Sequence, residues 1–169
     1  MKDKEMTIMG IDIKFISISM IYLTIVFFIH YFTRPFFFIK GLSLPVAIAI
    51  GSILLIIGIP YYILSIKTIH KVFNKGELCT TGVYAICRHP LYSSWIFFNC
   101  PAIAILFRSW IILTVPVFMY FLLIILIGEE EKYLIKRYGN EYLDYKKNTN
   151  LAFPKLWKFF NKNIKELKS

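Results

Sequence analysis

Two short stretches of this chain gather side chains able to do chemistry. The first, residues 82–92, reads Gly82-Val83-Tyr84-Ala85-Ile86-Cys87-Arg88-His89-Pro90-Leu91-Tyr92 and puts a cation, an imidazole and two phenols within nine residues. The second is Glu129-Glu130-Glu131, three adjacent carboxylates where an apolar run gives way to charge. Carboxylates are badly placed there, because the C-terminal end of a helix and an anionic lipid surface both repel them. Cations such as Arg88, Lys132 or Arg137, or a cationic ligand, are expected to offset that cost. A solvated helix face accounts for one or two of the three. Taken singly, Arg88 reads as a membrane-flanking anchor, Tyr84 and Tyr92 as interfacial aromatics, and His89 as a helix cap. Taken together, beside an apolar run that carries Ser93, Ser94, Asn99 and Pro101, they read as a binding site.

These residues lie between and after four apolar stretches, at about residues 15–33, 41–66, 91–107 and 110–127. A helix rises about 1.5 Å per residue, so about 20 residues cross a hydrocarbon layer of ~30 Å. The first, second and fourth stretches meet that length. The third is short and polar enough to be tilted, broken or packed inside the bundle. Only Arg108-Ser109 separates it from the fourth, which predicts a tight antiparallel hairpin. The expected fold is therefore an all-α integral membrane protein of about four transmembrane helices. A cytoplasmic loop and a C-terminal helical segment, 128–169, complete its single domain. Pro90 suits the first turn of the third helix, where its missing N–H costs nothing. In the tail, Tyr133, Leu134, Tyr138, Tyr142 and Tyr145 recur at near-helical spacing, and Gly139-Asn140 predicts a break with Asn140 capping a second short helix.

Composition agrees with a lipid environment. The chain has 169 residues, 57% hydrophobic, with 16 Phe and 11 Tyr, and a mean hydropathy of +0.61. One soluble domain of this size could not hide that much apolar surface. Net charge is +10, but the cations avoid the apolar stretches and crowd beside them, which argues for a membrane surface and against nucleic acid. Of the 20 Lys and Arg, only Arg34, Lys40 and Arg108 fall on the side away from the termini and the long loop; the other seventeen place both termini and that loop in the cytoplasm. The first apolar run is too long for a cleavable signal and has no small-residue cleavage motif. Cys79, Cys87 and Cys100 have neither disulfide-framework nor zinc spacing, so reduced thiols and no metal are expected.

The order Gly-x-Tyr, four residues, His-Pro-x-Tyr, a helical hairpin, Glu129-Glu130-Glu131-Lys132-Tyr133-Leu134, Tyr138-Gly139-Asn140-Glu141-Tyr142 and Tyr145 resembles the isoprenylcysteine carboxyl methyltransferases and related phospholipid methyltransferases. The resemblance covers about residues 76–147; before that the chain matches only as apolar spans. It implies S-adenosyl-L-methionine as cofactor and a lipophilic or lipidated methyl acceptor reached from membrane lipid. It also implies that Tyr84, His89, Pro90, Leu91 and Tyr92 line the cofactor pocket, that segment 76–79 with Leu78 and Cys79 borders it, and that Glu130 contacts the cofactor. Arg88 and His89 are the candidate catalytic pair. A zwitterionic cofactor with a sulfonium suits this mixture of carboxylate, guanidinium, imidazole and tyrosine faces. The prenylcysteine enzymes carry an Arg one helical turn before that Glu, and here the position is Leu126. A similar Arg-His-Pro-x-Tyr run occurs in NADPH-dependent membrane sterol reductases, which are longer. That reading and a non-catalytic membrane protein are the alternatives.

Overall fold

The computed structural model describes residues 12–73 and 76–154. Among them the chain is helical throughout, with two isolated backbone bridges and no strand. Helix α1 spans Asp12–Phe37, α2 Leu44–Phe73, α3 Pro90–Leu106, α4 Thr114–Tyr138 and α5 Asn140–Asn148. A 3₁₀ turn at Gly82–Ala85 lies in the loop between α2 and α3.

Among the described residues two helices are long and apolar enough to cross a membrane, Ile13–Arg34 with 22 residues and Leu44–Val72 with 29. Only 22% of each spanning window is buried, whereas the core helix of a soluble protein would be mostly covered. Large side chains such as Ile21, Phe28, Ile53 and Ile56 point outward instead, as expected where lipid is the solvent. Four of their hydroxyl residues return hydrogen bonds to the carbonyl one turn back: Thr24 to Met20, Thr33 to Ile29, Ser65 to Tyr61 and Thr68 to Leu64. No hydroxyl among these four is left for hydrocarbon to solvate. Helix α1 kinks at Thr33, two residues before Pro35, the usual cause of such a break.

Helix α3 is the shorter apolar helix and the inner one, burying Ile96, Asn99, Cys100, Ala102 and Ala104. It widens into a π turn over Trp95–Asn99, just ahead of Pro101, whose nitrogen cannot donate into the helix. The third stretch is thus both irregular and packed inside. Gly51 and Gly58 of α2, seven residues apart, share the face that meets it. A Cβ at Gly58 would collide with the Asn99 side chain and lie 2.7 Å from Phe98 Cβ, and one at Gly51 would strike Leu106. Helix α1 packs along α4, with Tyr22 stacked on Phe118 at 4.1 Å and donating to Thr114 Oγ1 at 3.0 Å. At one end the turns after α1 and α3 meet, with Ile39 N–H to Arg108 O at 2.8 Å and Trp110 N–H to Phe37 O at 2.9 Å.

Several sequence expectations shift in detail. Helix α2 begins at Leu44 and runs to Phe73, carrying Lys67 and Lys71 that were expected in the loop. The α3–α4 connection is a longer turn, with Arg108 at φ +51, because α4 begins only at Thr114. Helix α4 continues unbroken through Glu129–Glu131 to Tyr138, so the first part of the expected tail is an extension of the fourth apolar stretch. The break does fall at Gly139, at φ +55, which a Cβ would strain. Gly139 itself occupies the cap position of α5, and Asn140 is the first helical residue instead of the cap. Residues 155–169 of the expected tail lie outside the described residues.

Candidate functional site

Successive residues on a helix point about 100° apart, so the three carboxylates of α4 diverge. Glu129 faces outward and lies 3.5 Å from Lys14 of α1, both well exposed. Glu130 turns toward the start of α3, its Oε1 3.6 Å from His89 Nδ1. Glu131 points inward, where Oε1 accepts from Arg88 Nη2 at 2.9 Å and Oε2 from Lys146 Nζ at 2.6 Å. Burial pushes the Glu131 carboxyl up, but the Lys146 hydrogen bond and the Arg88 charge outweigh it and hold the pKa below the usual range. Of the cations expected to compensate the trio, Arg88 does so. Arg137 donates to Tyr133, and Lys146 enters from α5.

Arg88 is nearly consumed by this role. Its Nη1 donates to the carbonyls of Lys146 and Thr149 at 2.9 and 2.6 Å, capping the last turn of α5. Its backbone N–H reaches Asn150 O at 2.9 Å, and that of His89 reaches Leu151 O at 3.0 Å. Residues 149–151 therefore lie along the site loop as a parallel strap.

His89 immediately precedes Pro90, the first residue of α3, and its side chain makes no capping bond. Burial, reinforced by the Arg88 charge and opposed by Glu131, lowers its pKa to about 3, so the imidazole is neutral. Among the described residues its Nε2 is buried without a hydrogen-bond partner, and so is the neighbouring Arg88 Nε. Such atoms cost about 1–3 kcal/mol each when left unsatisfied. The described residues offer them no partner, and a polar ligand would.

The other candidates frame this pair from two sides. Cys79, Tyr84 and Cys87 pack with Tyr61, Val83 and Ile86 in one buried cluster. Tyr92 belongs to the main core, with Phe15 at 4.6 Å on one side and His89 at 6.0 Å on the other. Pro90 is buried, and Leu78 and Leu91 are half-buried. Tyr145 donates to the Tyr84 carbonyl at 2.6 Å, and Tyr138 to the Glu77 carbonyl at 3.2 Å, so the tyrosine stripe of the C-terminal helices tethers the loop. Burial pushes the Cys79 thiol up to about 11 and raises that of Cys87, which contacts Tyr61 Oη at 3.2 Å. Both thiols are protonated and poor nucleophiles. Leu126, one turn before Glu130, is half-buried against the main core. Lys146 and the 149–151 strap were not foreseen. Backbone pairing leaves no side-chain signature, and Lys146 resembles any other cation of a basic tail.

Fold and site together define a helical bundle with an apolar outer surface and an ionic, partly unsatisfied cluster at one end. A model of the isoprenylcysteine carboxyl methyltransferase (ICMT) family matches residues 44–136, and the chain belongs to that family. The match takes in α2, so the likeness begins earlier than the motifs alone suggested. The protein-S-isoprenylcysteine O-methyltransferases of Mus musculus and Rattus norvegicus are each 37% identical to it over 83 residues, which is 48% of this chain and 29% and 28% of theirs. The matched segment thus spans less than a third of the length of these curated relatives. No solved structure matches the chain.

Proposed function

We propose that this protein transfers a methyl group from S-adenosyl-L-methionine to a lipophilic, membrane-associated acceptor, of which the relatives' isoprenylcysteine is one example. The observation that carries the reading is the buried, unpartnered His89 Nε2 beside Glu130, at the foot of a membrane-type bundle. The residues present suit this cofactor. Glu130 offers a carboxylate to its cationic groups, Arg88 Nε is a donor suited to its carboxylate, and Tyr84 and Tyr92 provide aromatic faces. When bound, the cofactor supplies an electrophilic methyl group on sulfur.

The protein's part is placement and exclusion of water. Neutral His89 presents one nitrogen to a polar partner without adding positive charge beside a sulfonium. Tyr92 and Phe15 close the site toward the core, while Leu78, Cys79, Pro90 and Leu91 border it on the loop side. Leu126 gives the acceptor side an apolar surface where the prenylcysteine enzymes have a cation. This favours an acceptor held by its hydrocarbon. Helices α3 and α4 complete a four-span topology in this reading, with both termini and the site loop cytoplasmic.

Calorimetric titration of the detergent-purified chain tests the reading. S-adenosylhomocysteine should bind and NADPH should not. Binding of NADPH alone would overturn it in favour of a reductase, and binding of neither would favour a non-catalytic protein. Transfer of labelled methyl to extracted membrane lipids or to a prenylated cysteine peptide would then identify the acceptor.

A further inference from the structure

We infer that Glu131 is a positioning residue that, through Arg88 and Lys146, sets the approach of His89 to Glu130. The inference rests on the proposed cofactor site. Two consecutive pairs span the same gap between the site loop and α4: Arg88 with Glu131 at 2.9 Å, and His89 with Glu130 at 3.6 Å. The first pair is rigid. The Arg88 and Glu131 side chains are only 10% and 12% exposed, and the guanidinium fork is held by Glu131 on one nitrogen and by two carbonyls on the other. Arg88 cannot swing toward a ligand without breaking all three bonds. Glu131 in turn is steadied by Lys146 at 2.6 Å, so loop, α4, α5 and strap converge on one carboxylate.

The His89 imidazole has no such anchorage among the described residues. His89 Nδ1 is beyond hydrogen-bond reach of Glu130, and Nε2 has no partner. The imidazole inherits its place from the backbone of residues 88–89, which the strap and Arg88 hold. Removing charge from Glu131 leaves a buried guanidinium uncompensated, and its relaxation would move the neighbouring His89. Apart from the donor its Nε offers the cofactor carboxylate, Arg88 accordingly acts through His89 and not on the reacting atoms.

A double-mutant cycle on the full chain in detergent, read as S-adenosylhomocysteine affinity, separates positioning from general stability. Glu131→Gln should weaken binding about fivefold or more in the wild-type background, but by no more than about twofold in the Glu130→Gln background, where the contact it orients is already lost. Equal losses in both backgrounds would overturn the inference. Lys146→Met, at a more exposed position, gives a second cycle that stands if Glu131→Gln does not fold. Non-additivity with Glu130→Gln supports the inference, and additivity overturns it. A wild-type chain that binds S-adenosylhomocysteine while both cycles add defeats this inference alone. A wild-type chain that does not bind it defeats the methyltransferase reading and this inference with it.

Discussion

Each of the three adjacent glutamates has a different neighbour, and so a different expected cost of removal. Glu129 is exposed beside an exposed lysine, and such pairs contribute little. Glu131 sits in a buried network. Glu130 faces His89 across 3.6 Å. Glu130→Gln is expected to weaken S-adenosylmethionine binding by about 1–3 kcal/mol, the range for a charge-assisted contact. Unchanged affinity by calorimetry would remove it from the site. His89 yields a pH dependence. Folded, it stays neutral down to about pH 3, while the unfolded imidazole takes up a proton near 6.5. The unfolded state binds more protons in that window, so stability should fall as pH drops from about 6.5 toward 3 and should not depend on His89 above it. A His89→Gln variant should lose that slope relative to wild type in thermal melts between pH 7 and 5, where Glu131 does not yet titrate. His89→Ala should cut methyl transfer while folded protein is retained in detergent.

Helices set the distances between these residues, and their own contacts make separate predictions. The α2–α3 contact depends on the missing side chain of Gly58. A Cβ there meets the Asn99 side chain and the Cβ of Phe98, and the latter cannot retreat without moving α3. Gly58→Ala is therefore expected to destabilise by about 1–3 kcal/mol, as overpacked cores do. Gly128→Ala in α4 has nothing within 4 Å and should be neutral or stabilising by up to about 1 kcal/mol from helix propensity. Thermal unfolding of the two in one detergent compares them, and equal midpoints would contradict the packing. Tyr145→Phe removes the bond to the Tyr84 carbonyl. It should loosen the site loop at a cost of about 1 kcal/mol, seen as faster proteolysis within residues 76–89.

For the whole molecule the testable property is orientation. Arg34 and Arg108 lie at the end where the turns after α1 and α3 meet. Arg88, Glu131 and Lys146 lie at the other. Cation counting predicts that the second end is cytoplasmic. The three native thiols are buried, so introduced cysteines report cleanly. In intact cells Lys40→Cys should react with a membrane-impermeant maleimide, and Lys147→Cys should react only after the membrane is opened. The reverse pattern would invert the topology and put the site on the wrong side for a cytosolic cofactor.

Much of this was legible in the residues themselves. Apolar length announced α1 and α2, the polar and proline-bearing third stretch announced an inner, irregular helix, and Pro90 and Gly139 marked boundaries. These signals are local, because hydrophobic burial and backbone sterics act over a turn or two. The motifs at 82–92 and 129–131 pointed to the family that the comparisons then showed. The partition of labour within the motifs was not legible. Nothing in Glu129-Glu130-Glu131 says which carboxylate faces inward, since that depends on the rotation of α4 against a loop some forty residues earlier. Nothing in Arg88 says that its fork is occupied by carbonyls at residues 146 and 149, or that residues 149–151 pair with the loop by backbone alone. Composition, spacing and charge by themselves determined a membrane-type helical chain with a candidate ligand site. Only the tertiary structure decided which side chains are bound to each other and which buried polar atoms lack a partner among the described residues, because hydrogen-bond satisfaction is a property of three-dimensional neighbours.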